Sequence, residues 1–104
     1  MSIAIEDAAE SLAQLGNPTR LRIVRALVKA GDDGMAVGEI QRALEVAPST
    51  LSHHIQHLKS CQLVSQTRES TVLRCRANYT RLGEVAQFLL SECCVGFDGH
   101  GLEE

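Results

Sequence analysis

Four sets of residues in this 104-residue chain have types and spacings suited to chemistry. Ser49, Ser52, His53 and Gln56 follow Pro48 at i, i+3, i+4 and i+7, a spacing that puts them on one face of a helix. That face is polar yet uncharged, whereas a face meant only for water usually carries Glu and Lys. Hydroxyls, an imidazole and an amide are the groups that hydrogen-bond to base edges in the major groove. Arg68, Arg74 and Arg76 lie in a stretch rich in Val, Thr and Leu. Arginine there suits phosphate pairing and entry into narrow grooves. Cys93 and Cys94 are adjacent thiols, and soft thiolates suit thiophilic ions such as trivalent arsenic or antimony. The same pair also suits thiol oxidation or persulfide chemistry, or Cys93 simply packs and Cys94 is incidental. His53 and His57 have the i, i+4 spacing of helical metal ligands, but no nearby Cys or carboxylate completes a set. Their plainer reading is DNA contact and surface.

The rest of the composition narrows the classes. There is no glycine-rich phosphate loop, no metalloprotease motif, and no nucleophile–His–Asp set in a recognisable context, so an enzyme is not expected. Tyr79, Phe88 and Phe97 are the only aromatics, too few to stack single-stranded bases. No apolar run approaches the ~18 residues of a membrane span. The acidic start, Met1 to Glu10, does not read as a signal peptide. The expectation is a cytoplasmic protein, with its four cysteines reduced. The net charge of −3 hides an uneven distribution. Six of the 13 acids lie in residues 6–10 and 98–104, and none falls between Val46 and Arg68. The acid-free stretch contains the polar helix face, so local charge favours a polyanion where net charge does not.

Five helices are expected to carry these residues. The first spans 3–15, with Ile5, Ala8, Leu12 and Leu15 at near-helical spacing, and Gly16 ends it. Asn17-Pro18 caps and opens the second, which runs to Ala30. Its expected inner stripe is Leu21, Val24, Leu27 and Val28, opposite Arg22, Arg25 and Lys29. Gly31–Gly34 is a turn, followed by a third helix over 37–44 with Ile40 and Leu44 inward. The fourth covers 48–61, with Leu51, Ile55 and Leu58 facing the core. A β-hairpin over 63–77 turns at Glu69-Ser70, and a last helix over 80–94 carries Leu82, Val85, Ala86, Leu89, Leu90 and Cys93 as an apolar stripe. Residues 1–95 read as one domain and 96–104 as a flexible tail. The architecture is mainly α: a winged helix-turn-helix of five helices with a two-stranded β-hairpin wing.

The motifs resemble the ArsR/SmtB family of bacterial repressors over Leu12 to Cys94. LAQLGNPTRLRIVRAL (12–27) is similar to the family's second-helix signature. VAPSTLSHHIQHLKSCQLV (46–64) resembles its recognition helix, and TRESTVLRCRAN (67–78) its hairpin. The resemblance implies a homodimer, double-stranded operator DNA bound as an inverted repeat, and release by an inducer with no cofactor required. It places Ser49, Thr50, Ser52, His53 and Gln56 on the DNA-reading face and His54 beneath the helix. Arg68 falls on the wing's first arm. Where the family often has Gly-Arg at the wing tip, this chain has Ser70-Thr71, so Arg68 or Arg74 takes that role. The first and last helices would form the interface, here through Leu12, Leu82, Val85, Leu89 and Cys93. Two common family metal sites have no match: Ala36 and Gly38 replace a Cys-x-Cys, and the last helix has no His. Some arsenic-responsive members carry a cysteine pair where this chain has Cys93 and Cys94, often with a third downstream that is absent here. Inorganic arsenite prefers three thiolates, so a two-thiol site better suits methylarsenite. The rival readings are a protein-binding winged helix and a family repressor switched by oxidation, persulfide or another metal.

Overall fold

The computed structural model describes residues 3–96, so residues 97–104 of the expected tail lie outside the described residues. Five α-helices appear in order: α1 (Ile5–Leu15), α2 (Pro18–Ala30), α3 (Val37–Leu44), α4 (Pro48–Ser60) and α5 (Tyr79–Leu90), with a single 3-10 turn at Gly31–Asp33 after α2. Three strands accompany them: β1 (Met35–Ala36), β2 (Val64–Glu69) and β3 (Val72–Ala77). The architecture is a winged helix-turn-helix.

Local chemistry explains the helix starts. The Asn17 side chain accepts from the Arg20 amide at 3.0 Å, with Pro18 opening α2. Glu39 accepts from the Ala36 amide at 2.8 Å at the start of α3. Asn78 caps α5 through the Arg81 amide at 3.2 Å. Between α3 and α4, Glu45 takes a left-handed conformation and Pro48 opens the second helix of the pair.

One apolar core joins α2, α3, α4 and the sheet. Ile23, Leu27, Ile40, Leu51, Leu58, Leu63 and Cys75 are all fully buried in it. α4 is thus fastened along its Leu51–Ile55–Leu58 stripe, as the spacing predicts. A second, smaller cluster of Ile3, Ala8 and Val85, with Phe88 against it, packs α1 on α5.

Several expectations change. The sheet has three strands, in the order β1-β3-β2, because Met35 and Ala36 pair with Cys75 and Arg74. Gly34 makes that third strand feasible. Its backbone (φ 64°, ψ −157°) lies in a region essentially reserved for glycine, and a Cβ there would sit 2.2 Å from the Cys75 carbonyl oxygen. The hairpin turns at Ser70-Thr71 rather than Glu69-Ser70, since Glu69 still pairs with Val72; Ser70 has φ 61°. On α2, Ile23 rather than Leu21 or Val28 faces the core; both latter residues are exposed. The first helix starts at Ile5, leaving Ile3 to plug the small cluster.

The largest correction is at α5, which ends at Leu90 rather than Cys94. The Ser91 hydroxyl donates to the Phe88 carbonyl at 2.8 Å, and the Ser91 backbone turns extended. This side-chain bond competes with helical continuation. Cys93 and Cys94 therefore lie in a turn after the helix, tied back by a bond from the Cys93 amide to the Leu90 carbonyl at 3.0 Å. The expected interface stripe also divides. Val85 is buried inside the protomer and Leu82 packs on the main core, whereas Leu12, Leu89 and Leu90 are exposed.

Candidate nucleic-acid interface

α4 presents two chemically distinct faces. Its apolar stripe is sunk in the core, while Ser49, Thr50, Ser52, His53 and Gln56 are all exposed on the other side. All five residues assigned to base reading therefore lie together on solvent-facing surface, and none is diverted into packing.

Two contacts fix the orientation of this helix beyond its apolar stripe. Half-buried His54 meets Arg20 of α2, with Nδ1 3.2 Å from the guanidinium Nη1. Arg20 is itself held by the Gln14 carbonyl at 2.8 Å. Since the guanidinium can only donate, His54 Nδ1 is the acceptor and its ring is neutral. Burial, then the Arg20 charge, hold the His54 pKa below its ordinary value. His54 thus lies beneath the exposed polar face, not on it. At the other end, the Lys59 ammonium donates to Gln66 Oε1 at 3.1 Å, tying α4 to the wing.

The wing arginines have unequal surroundings. Glu69 receives Arg74 Nε and Arg76 Nη2, each at 2.9 Å. Arg74 also donates to the Asp33 carbonyl at 3.2 Å and Arg76 to the Asp32 carbonyl at 3.0 Å. Hydrogen bonds from Arg76 and Arg74 hold the Glu69 carboxyl below its ordinary range. Strand alternation places Arg68 on the opposite sheet face from Glu69, the face that Gln66 presents to α4. Arg68 is exposed and makes no ion pair with the described residues. Of the two arginines assigned from sequence, Arg68 is thus open toward the α4 side, whereas Arg74 is clamped. The clamp was detectable in the sequence only as one acid, Glu69, among three arginines.

The four thiols separate as cleanly. Cys61 and Cys75 are buried, and burial pushes both thiols up from their ordinary pKa. Cys93 and Cys94 are exposed with their sulfurs 3.2 Å apart. Two sulfurs on one ion, each at about 2.3 Å, stand about 3.3–3.8 Å apart for bond angles from a right angle to tetrahedral, so a small opening of this turn suits shared ligation.

Residues 15–66 match the sequence pattern of a helix-turn-helix domain. An uncharacterised HTH-type transcriptional regulator of Methanocaldococcus jannaschii is 38% identical over 66 residues, covering 64% of this chain and 72% of that protein. The transcriptional repressor SdpR of Bacillus subtilis is 29% identical over 77 residues, covering 74% of this chain and 82% of that protein. The fold is similar to the homodimeric winged helix-turn-helix DNA-binding domain of a possible ArsR-family transcriptional regulator from Mycobacterium bovis. That likeness has a TM-score of 0.67 and 28% identity, covering 93% of this chain and 90% of the other.

Proposed function

The chain belongs to the ArsR/SmtB family of winged helix-turn-helix transcriptional regulators, and from that premise we propose that it is a homodimeric repressor of operator DNA, released by a thiophilic inducer at Cys93 and Cys94. The family comprises regulators rather than enzymes. No helix among the described residues is long and apolar enough to cross a membrane.

The observation that carries the DNA reading is the exposed, uncharged face of α4 above a fully buried stripe. Seated in the major groove, Ser49, Thr50, Ser52, His53 and Gln56 hydrogen-bond to base edges, while Arg68 pairs with phosphate beside them. A homodimer repeats this head across a two-fold axis. Two heads then read half-sites spaced by one helical turn, about 34 Å. Exposed Leu12 on α1 and Leu89 and Leu90 on α5 supply apolar surface for that interface.

The inducer reading rests on the paired sulfurs just beyond α5. Trivalent arsenic or antimony matches their softness, and a methylated arsenical matches a site of two thiols. Because the pair is tied to the end of α5, ligation would move that end and reset the spacing of the heads. A difference in affinity of about 1–3 kcal/mol between the two states corresponds to roughly 5–150-fold release. Thiol oxidation or persulfidation of the same exposed pair is the second reading.

Fluorescence anisotropy on a selected operator separates these readings. Methylarsenite, arsenite or antimonite should release the wild type, while Cys93→Ser and Cys94→Ser should stay bound. Release by these compounds that persists in both variants, or release that follows only a persulfide donor or another metal, overturns the arsenical reading.

A further inference from the structure

His53 and His57 are more than neighbours on α4. Their Nε2 atoms stand 3.1 Å apart and their rings meet edge to face with centroids 4.5 Å apart. His53 is exposed and His57 half-buried, so the pair lies at the surface. The Nε2–H of one imidazole donates a hydrogen bond to Nε2 of the other, so each ring uses Nε2 toward its neighbour.

We propose that this pair is a two-imidazole chelate for a borderline divalent cation such as nickel, copper or zinc, set on the face that meets DNA. Two nitrogens about 2.0–2.1 Å from one ion stand roughly 2.9 Å apart when cis in a square or octahedral set and roughly 3.3 Å apart in a tetrahedral one, and the observed separation falls between the two. Imidazole nitrogen is the ligand type that suits these metals. The helix backbone between residues 53 and 57 holds the pair at this bite, so little ordering remains to be done on binding. No carboxylate or thiol joins them among the described residues. This chemistry is distinct from that of the cysteine pair, which favours softer ions.

The site uses His53, which the proposed DNA reading also uses. A cation held there takes up the nitrogen that would meet a base edge and puts hydrated metal between α4 and the groove. Cation and DNA are therefore competitors. Only this competition rests on the proposed function; the chelate itself does not.

Nickel(II) titration calorimetry tests the chelate on the full chain carrying Cys93→Ser and Cys94→Ser, which removes the exposed thiols. One nickel ion per chain is expected. His53→Gln or His57→Gln should each weaken binding about tenfold or more, because the second tethered ligand is lost. Circular dichroism should match in all variants, since both rings are at the surface. Absence of nickel binding, or binding that survives both single substitutions, overturns the chelate. In anisotropy on the same protein, nickel should weaken operator binding and lose that effect in His57→Gln. Nickel bound without any effect on DNA overturns the shared use of His53.

Discussion

Removing Arg68 should change the salt dependence of DNA binding more than removing Arg74, because only Arg68 is free to meet phosphate. Arg68 lies on the sheet face that Gln66 presents to α4, whereas Arg74 is bound to Glu69 and to the Asp33 carbonyl. Each phosphate neutralised contributes about 0.9 to the slope of log K against log salt. A dimer carries two wings, so Arg68→Ala should lower that slope by about 1.8. Between about 50 and 200 mM salt the wild type should then lose roughly tenfold more affinity than the variant. Arg74→Ala should change the slope by clearly less. It also loosens Glu69, which still has Arg76 as a partner. Glu69→Gln should act in the opposite direction, because it removes the ion pairs to Arg74 and Arg76 and a negative charge near the phosphates, although the Asp33 and Asp32 carbonyls still hold the two guanidinium groups. Anisotropy titrations at four or five salt concentrations measure all three slopes. Equal slopes for wild type and Arg68→Ala, or a larger loss for Arg74→Ala, would refute the assignment of wing roles.

Three further outcomes follow from the packing and the thiols. Gly34→Ala places a Cβ against the Cys75 carbonyl in a backbone region that only glycine tolerates, so thermal unfolding should show a stability loss of about 1–3 kcal/mol or more. A chromogenic disulfide reagent should titrate two thiols rapidly in the native protein, Cys93 and Cys94, and reach Cys61 and Cys75 only on unfolding; three fast thiols would contradict the burial pattern. His54 has a lowered pKa in the fold, so the unfolded chain takes up its proton first as pH falls. Its contribution should be complete above about 6.5, the unfolded value, and should be lost as pH drops through that value toward the lower folded pKa. Urea melts between pH 8 and 5 should show this loss in wild type and a smaller one in His54→Gln.

The sequence made the reading head legible because its signals are local and redundant. Asn17 and Pro18 mark a helix start by backbone chemistry alone, and the 51-55-58 stripe leaves only one orientation for the polar face of α4. Signals that depend on tertiary partners were not legible. A strand of two residues, Met35 and Ala36, has no periodicity; it exists because Gly34 lets the chain approach β3. On α2, Leu21 and Ile23 are equally apolar, and only the position of the sheet selects Ile23 for the core. The last helix looked longer because Cys93 continues the spacing of Leu82 and Leu89, yet the backbone turns extended at Ser91. Charge alone made Arg68, Arg74 and Arg76 equivalent, and their unequal roles emerge only from strand register around Glu69.

Selection from random double-stranded DNA, followed by anisotropy on the enriched sequence, tests the central claim most directly. An inverted repeat with half-sites one helical turn apart, bound by a dimer, is the expected outcome. Ser52→Ala and Gln56→Ala should each cost about 1–3 kcal/mol at particular base pairs while leaving the salt slope unchanged. No enrichment, or an enriched site whose binding ignores both substitutions, would contradict recognition through α4.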